Sequence, residues 1–202
     1  MKIRNSALLA IAALGLLLGL GFLANQRWTA RNLQYEGMQA ERKRQSDPLL
    51  LFGSSLAEVP ADAHLTVRGA VYVPAYASIR TVEGRARVDL ATTLSIHNTS
   101  RDRPLILERV DYHNTDGALI QAYLAKPVTL KPFGTVEMFV ASDDIRGGTG
   151  ANFVVEWAAQ GAMSEPVIET VMIGAVGTTS YSFVSQGRSV RMVGNSKERD
   201  DQ

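Results

Sequence analysis

From Leu65 onward no segment carries a helical period, and short runs rich in β-branched and aromatic residues recur between turn residues. Nine such runs stand at 65–74, 85–100, 105–114, 118–125, 128–132, 135–142, 152–159, 167–175 and 179–187. Several alternate with a period of two. Leu94 and Ile96 point one way and Ser95 and His97 the other; Val136, Met138 and Val140 share a face, as do Phe153, Val155 and Trp157. A strand with one buried face requires that period. Thr115-Asp116-Gly117 reads as a hairpin turn with Gly117 at positive φ, and Lys131-Pro132-Phe133-Gly134 as a second turn. Pro74 inside VYVPAY marks an edge or a bulge. The expected fold is all-β, an antiparallel immunoglobulin-like β-sandwich over residues 65–188, followed by a flexible tail over 189–202.

The N-terminus reads differently. After MKIRNS comes an uncharged apolar run, Ala7 to Ala24, of eighteen residues. At 1.5 Å per residue it covers most of a hydrocarbon core of about 30 Å. It reads as one N-terminal transmembrane helix over residues 1–24, an uncleaved signal anchor, with a cleaved signal peptide as the alternative. Trp28 stands where an interfacial aromatic would. Lys2 and Arg4 favour an inside N-terminus, whereas Arg27, Arg31, Arg42, Lys43 and Arg44 oppose export of the chain beyond the span. The short leading tail decides for a single-pass inner-membrane protein with its body in the periplasm or outside. Residues 25–64 read as a helical stalk and a linker, broken at Asp47-Pro48. The apolar LLLF patch of that linker is expected to dock on the domain or to form a short helix.

Composition narrows the chemistry. The chain has no cysteine, so it has no disulfide, thiolate metal site, cysteine nucleophile or lipid-modified cysteine. A net charge of +1 gives no global field for nucleic acid, and no nucleic-acid partner is expected.

The glycine-rich stretch DDIRGGTGANFVVEW, Asp143 to Trp157, is the candidate binding loop, with Asp143, Asp144, Gly147, Gly148, Gly150 and Asn152 its candidate residues. It is neither a P-loop nor a dinucleotide fingerprint, because a strand and not a helix comes after it and no lysine closes it. Asp143, Asp144, Asn152 and Glu156 offer oxygens of the kind calcium takes, but without EF-hand spacing. The competing reading is a shaped turn, in which an aspartate caps backbone N–H groups, the glycines supply positive φ, and Asn152 accepts a left-handed conformation. Two His-Asn-Thr tripeptides, at His97 and His113, would offer zinc two imidazoles if both ended adjacent strands at one end. As solvated turn residues they need no metal. Nothing matches a nucleophile elbow or a zincin helix. Trp157 is a core residue on this reading, and an edge strand could accept a partner by strand addition.

VYVPAY (71–76), TLSIHNTS (93–100), GANFVVEW (150–157), IETVMIG (168–174) and SFVSQGR (182–188) together resemble a bacterial family known as domain of unknown function 3124. The resemblance spans Val67 to Arg188 and implies an exported protein with no assigned activity. The functional expectation is a non-catalytic interaction or accessory module of the cell envelope, not an enzyme. It needs no cofactor, touches the membrane through its N-terminal helix, and meets an envelope protein partner. The alternative is a metal- or small-ligand-binding domain that uses the Asp143–Asn152 loop.

Overall fold

The computed structural model describes residues 51–81, 84 and 86–193, together with the isolated positions 26, 33 and 37. The apolar run 7–24, most of the expected stalk and the residues beyond 193 lie outside the described residues. Among the described residues no helix is long and apolar enough to cross a membrane. The chain divides into two compact units, Met1–Gln45 and Ser46–Gln202, and all the described strands belong to the second.

Among the described residues thirteen strands run in order: β1 (Leu56–Ala57), β2 (Val67–Pro74), β3 (Ser78–Arg80), β4 (Arg87–Asp89), β5 (Ala91–His97), β6 (Leu105–His113), β7 (Leu119–Ala122), β8 (Val128–Leu130), β9 (Thr135–Val140), β10 (Asn152–Ala159), β11 (Val167–Val176), β12 (Thr179–Gln186) and β13 (Arg188–Val193). One sheet runs β1-β8-β6-β10-β2-β13, with β7 also on β6; the second runs β12-β11-β5-β9; β3 and β4 form a separate hairpin. All these pairings are antiparallel. The two larger sheets bury one common core, to which Val71, Val73, Leu107, Tyr112, Phe153 and Trp157 come from one sheet and Leu94, Ile96, Val136, Met138 and Ile168 from the other. The result is an all-β sandwich.

The alternation of the sequence governs this packing, and the departures from it are local. In β6 the buried face passes from Leu105 and Leu107 to Val110 and Tyr112. A bulge at Glu108 makes that switch, because Trp157 pairs with Leu107 and Glu156 with Arg109. The run expected as one strand over 85–100 is two, β4 and β5, which meet at Leu90. There the chain leaves the small hairpin and the Leu90 N–H donates to Ala77 O at 2.9 Å. β2 is an interior strand, paired with β10 and β13; Pro74 is its last residue, beyond the reach of β13, so its missing N–H leaves no gap there. The expected tail opens with a strand, since β13 covers residues 188–193 and pairs with β2. Its two arginines obscure the alternation of a short strand.

Two positions join the sheets. Asn98, buried just after β5, donates from Nδ2 to Arg103 O at 2.8 Å, Lys131 O at 3.1 Å and Leu130 O at 3.2 Å. Its Oδ1 accepts the Ser100 N–H at 3.0 Å. One side chain thus ties the end of β5 to the approach to β6 and the end of β8. Gly187 alone separates β12 from β13, and the chain passes there from one sheet to the other. A Cβ at Gly187 would stand 2.5 Å from Val71 Cγ1 and 2.8 Å from Ile168 O, so the corner is closed to any side chain.

Candidate functional site

The Asp143–Asn152 stretch closes on itself. Ile145–Gly147 forms a single 3-10 turn, capped by Asp144. The Asp144 carboxylate accepts the Arg146 backbone N–H at 3.2 Å and its guanidinium at 2.8 and 2.7 Å. Those bonds to Asp144 hold the Arg146 guanidinium still more firmly in its charged form. Gly147 is buried over the Tyr112 ring, and an added Cβ would collide with the phenol oxygen. Gly148 takes φ 69° beside Thr115, whose hydroxyl donates to Gly147 O at 3.1 Å and accepts the Gly150 N–H at 2.9 Å. Asn152 begins β10 in ordinary extended pairing with His113 and Pro74. Among the described non-glycine residues only Phe133 has positive φ, so the left-handed conformation expected of Asn152 belongs instead to the 131–134 turn.

The candidate residues therefore divide. Asp144, Gly147 and Gly148 shape the turn; Asp143 lines a separate shallow hollow of about 470 Å³ with Arg87, Asp89 and Ser142. Glu156 lies four residues along β10 from Asn152. No group of three or more histidine, aspartate or glutamate side chains with metal-site geometry occurs among the described residues.

Beneath the turn lies an aromatic cluster. Tyr112 and Phe153 ring centroids are 4.9 Å apart, and Tyr123 stands 5.9 Å from Phe153. Burial, reinforced by the Asp144 carboxylate, pushes the Tyr112 phenol up to about 12. Burial pushes Tyr123 further in the same direction, and its hydroxyl donates to Phe139 O at 3.3 Å. These are neutral structural phenols.

The two His-Asn-Thr tripeptides do not converge. His97 ends β5 in one sheet, beside the approach to β6, whereas His113 ends β6 in the other. The nine residues of β6 separate them by roughly 25 Å. Both ring nitrogens of His97 are engaged, Nε2 with Ser95 Oγ at 2.9 Å and Nδ1 with Thr135 Oγ1 at 3.0 Å. What the tripeptides share is the asparagine. Asn114 Oδ1 accepts the N–H groups of Asp116 at 3.0 Å and Ala118 at 2.8 Å, closing the hairpin in which Gly117 takes φ 80°.

A second concavity lies elsewhere among the described residues, where no sequence motif marks it. A groove of about 650 Å³ runs along β1, lined mainly by apolar side chains that include Leu56, Val59, Leu65, Ile106, Pro127 and Val128. The linker builds one wall of it. Phe52 packs on the core, Leu56 is buried, and Lys131 Nζ donates to Ser54 O at 2.7 Å. Of the LLLF patch, Phe52 docks on the core while Leu51, a helical residue, is exposed. Glu58 and Lys126, 2.8 Å apart, stand at the lip; the hydrogen bond and charge of Lys126 hold the Glu58 carboxyl below its usual range. Arg68 and Glu108, 3.2 Å apart, form a second pair, of which Glu108 lines the groove.

No curated protein matches the chain. A solved structure titled Crystal Structure of Thermotoga maritima 1070 is similar at 11% identity and a TM-score of 0.36, over 59% of this chain and 92% of that one. The family model described as protein of unknown function (DUF3124) matches residues 68–190, more than half of the chain, from the first residues of β2 into β13. With the motifs of the resemblance falling on β2, β5, β10, β11 and the Gly187 corner, the chain belongs to that family.

Proposed function

We propose that this chain is a non-catalytic interaction module of the cell envelope, anchored in the inner membrane by residues 7–24, with an immunoglobulin-like sandwich in the periplasm or outside. The uncharged length of the run supports the anchor. The two-layer antiparallel architecture supports the finer fold assignment. The observation that carries the binding role is the groove beside β1. It has the size and mainly apolar lining of a recognition site, with Glu58, Lys126 and Glu108 as the charged groups among its lining.

Its occupant is an extended apolar segment of an envelope protein. β1 is the terminal strand of its sheet, so a peptide laid along it finds backbone groups on one side and a place for alternate side chains on the other. The loop at Asp143–Asn152 carries less, because Asp144 is bound to Arg146 and the glycines serve the turn.

The test uses the full chain carrying a photo-crosslinking residue at Ala57, which is exposed and lines the groove. One discrete adduct in living cells, lost on Val59→Glu, is the expected result. A smear identical to that from a control site at Asp116, or no adduct, would remove the groove as the site of recognition.

A further inference from the structure

The opposite margin of the molecule carries a different surface. β12 terminates its sheet: β11 pairs along its whole length, from Val176↔Thr179 to Glu169↔Gln186, and no described strand lies on its other side. The pairing runs without a bulge. Edge strands are ordinarily blunted by lysine, proline, bulges or extreme shortness. β12 has none of these. Its eight residues, TSYSFVSQ, contain no charge and no proline.

The faces of this strand are equally telling. Tyr181 and Phe183 turn toward the small core of Val88, Leu90 and Met172 but stay only partly buried. On the other face Val184 is exposed and heads a cross-strand row that continues through Val171 and Thr93 to exposed Phe139.

The strand is also complementary to itself. Set antiparallel to a copy about a two-fold axis through Ser182, it places Tyr181 opposite Phe183 and Thr179 opposite Ser185 on the inner face. Ser180 falls opposite Val184 on the outer face. Aromatic and hydroxyl pairs of this kind are the favourable cross-strand pairs, and without charges in β12 no like charges meet.

We infer that β12 is a dimerisation edge, where two copies of this chain join their four-stranded sheets into one continuous eight-stranded sheet through a two-fold axis at Ser182. The site is independent of the groove, which lies along β1 in the other sheet.

The absence of native cysteine makes the test direct, because any disulfide reports an introduced residue. In the full-length chain, oxidised in cells with copper phenanthroline, Ser182→Cys should give a species of twice the 21.9 kDa chain mass on a non-reducing gel. Ser180→Cys and Val184→Cys should each stay monomeric alone and cross-link when co-expressed. Val184→Lys should abolish the Ser182→Cys dimer, and adding Ser180→Glu, which meets that lysine across the axis, should restore it. A Ser182→Cys chain that folds as the parent does yet remains monomeric would overturn the inference. So would cross-linking only to a different protein, which would make β12 a heterologous edge.

Discussion

Gly69 lies directly across the β2–β10 pair from Trp157, and the indole occupies the space over its Cα where a side chain would begin. A Cβ at Gly69 would stand 2.5 Å from Trp157 Cε2 and 2.6 Å from Nε1. Trp157 is fully buried, and its Nε1 has no hydrogen-bond partner. The core thus accepts a desolvated indole N–H in return for the volume of the ring. Gly69→Ala should destabilise the fold by about 3 kcal/mol through overpacking, read as a lower urea midpoint at unchanged slope. In a Trp157→Phe background the same change should cost roughly 1 kcal/mol less, because the smaller phenyl ring lacks Cζ2, which the new methyl would meet at 2.6 Å, and leaves room to shift. Equal costs in both backgrounds would show that the indole is not the obstacle.

The asparagines of the two tripeptides should differ in weight. Asn98→Ala removes the donor from three carbonyls, of which Lys131 O keeps the Gly134 N–H, and the acceptor from one N–H at a buried junction, and should cost about 3 kcal/mol. Asn114→Ala frees only the exposed turn N–H groups of Asp116 and Ala118, which water can satisfy, and should cost about 1 kcal/mol. Parallel denaturation curves settle the order.

The glycine loop offers a similar contrast. Gly147→Ala drives a methyl group into the Tyr112 hydroxyl and should cost about 3 kcal/mol. Gly150→Ala meets nothing closer than 3.4 Å and should cost under about 1 kcal/mol. Since Asp144 is committed to Arg146, neither calcium nor a chelator should move the melting temperature. A calcium-dependent rise that disappears in Asp143→Asn or Asp144→Asn would instead make this a metal loop.

Alkaline pH should weaken the fold in a definite window. The Tyr112 phenol rises from 10.0 in the open chain to about 12 when folded, so between those values the unfolded chain loses a proton that the folded one keeps. Stability is therefore fully present below pH 10 and falls as pH climbs toward 12. Tyr112→Phe should flatten that fall in part, leaving the contribution of Tyr123, whose phenol is raised further. An unchanged alkaline limb in Tyr112→Phe would mean that another group controls it.

Where period-two alternation runs through a long segment, the strand can be read from sequence alone. β10 spans the expected 152–159, and Val136, Met138 and Val140 are buried together as their spacing requires. Strands of two or three residues, β1 and β3, are too short to show a period. The bulge at Glu108 and the meeting of Gly69 with Trp157 depend on register between segments far apart in the chain, which no local pattern encodes. For the same reason the loop could be recognised as a turn or a ligand site only by its residue types. The seat of Gly147 on Tyr112 and the clamp from Thr115 come from chain brought alongside it. The groove has no local signature, because its walls belong to separate stretches, none of them distinctive alone.

Five connections of this sandwich pass from one large sheet to the other: between β5 and β6, β8 and β9, β9 and β10, β10 and β11, and at the lone Gly187. Neither large sheet is therefore a unit of contiguous chain that could form first and wait for the other. Most of the loop-closure entropy must be lost before either sheet has its neighbours, which makes folding slow and its barrier late. The native state should come apart in a single step, with no half-sandwich populated on the way. Until that step is complete in the forward direction, uncharged strands such as β12 are open to any edge they meet. The same lacing that makes the finished protein cooperative thus defines the interval in which it most needs to be kept apart from its own copies.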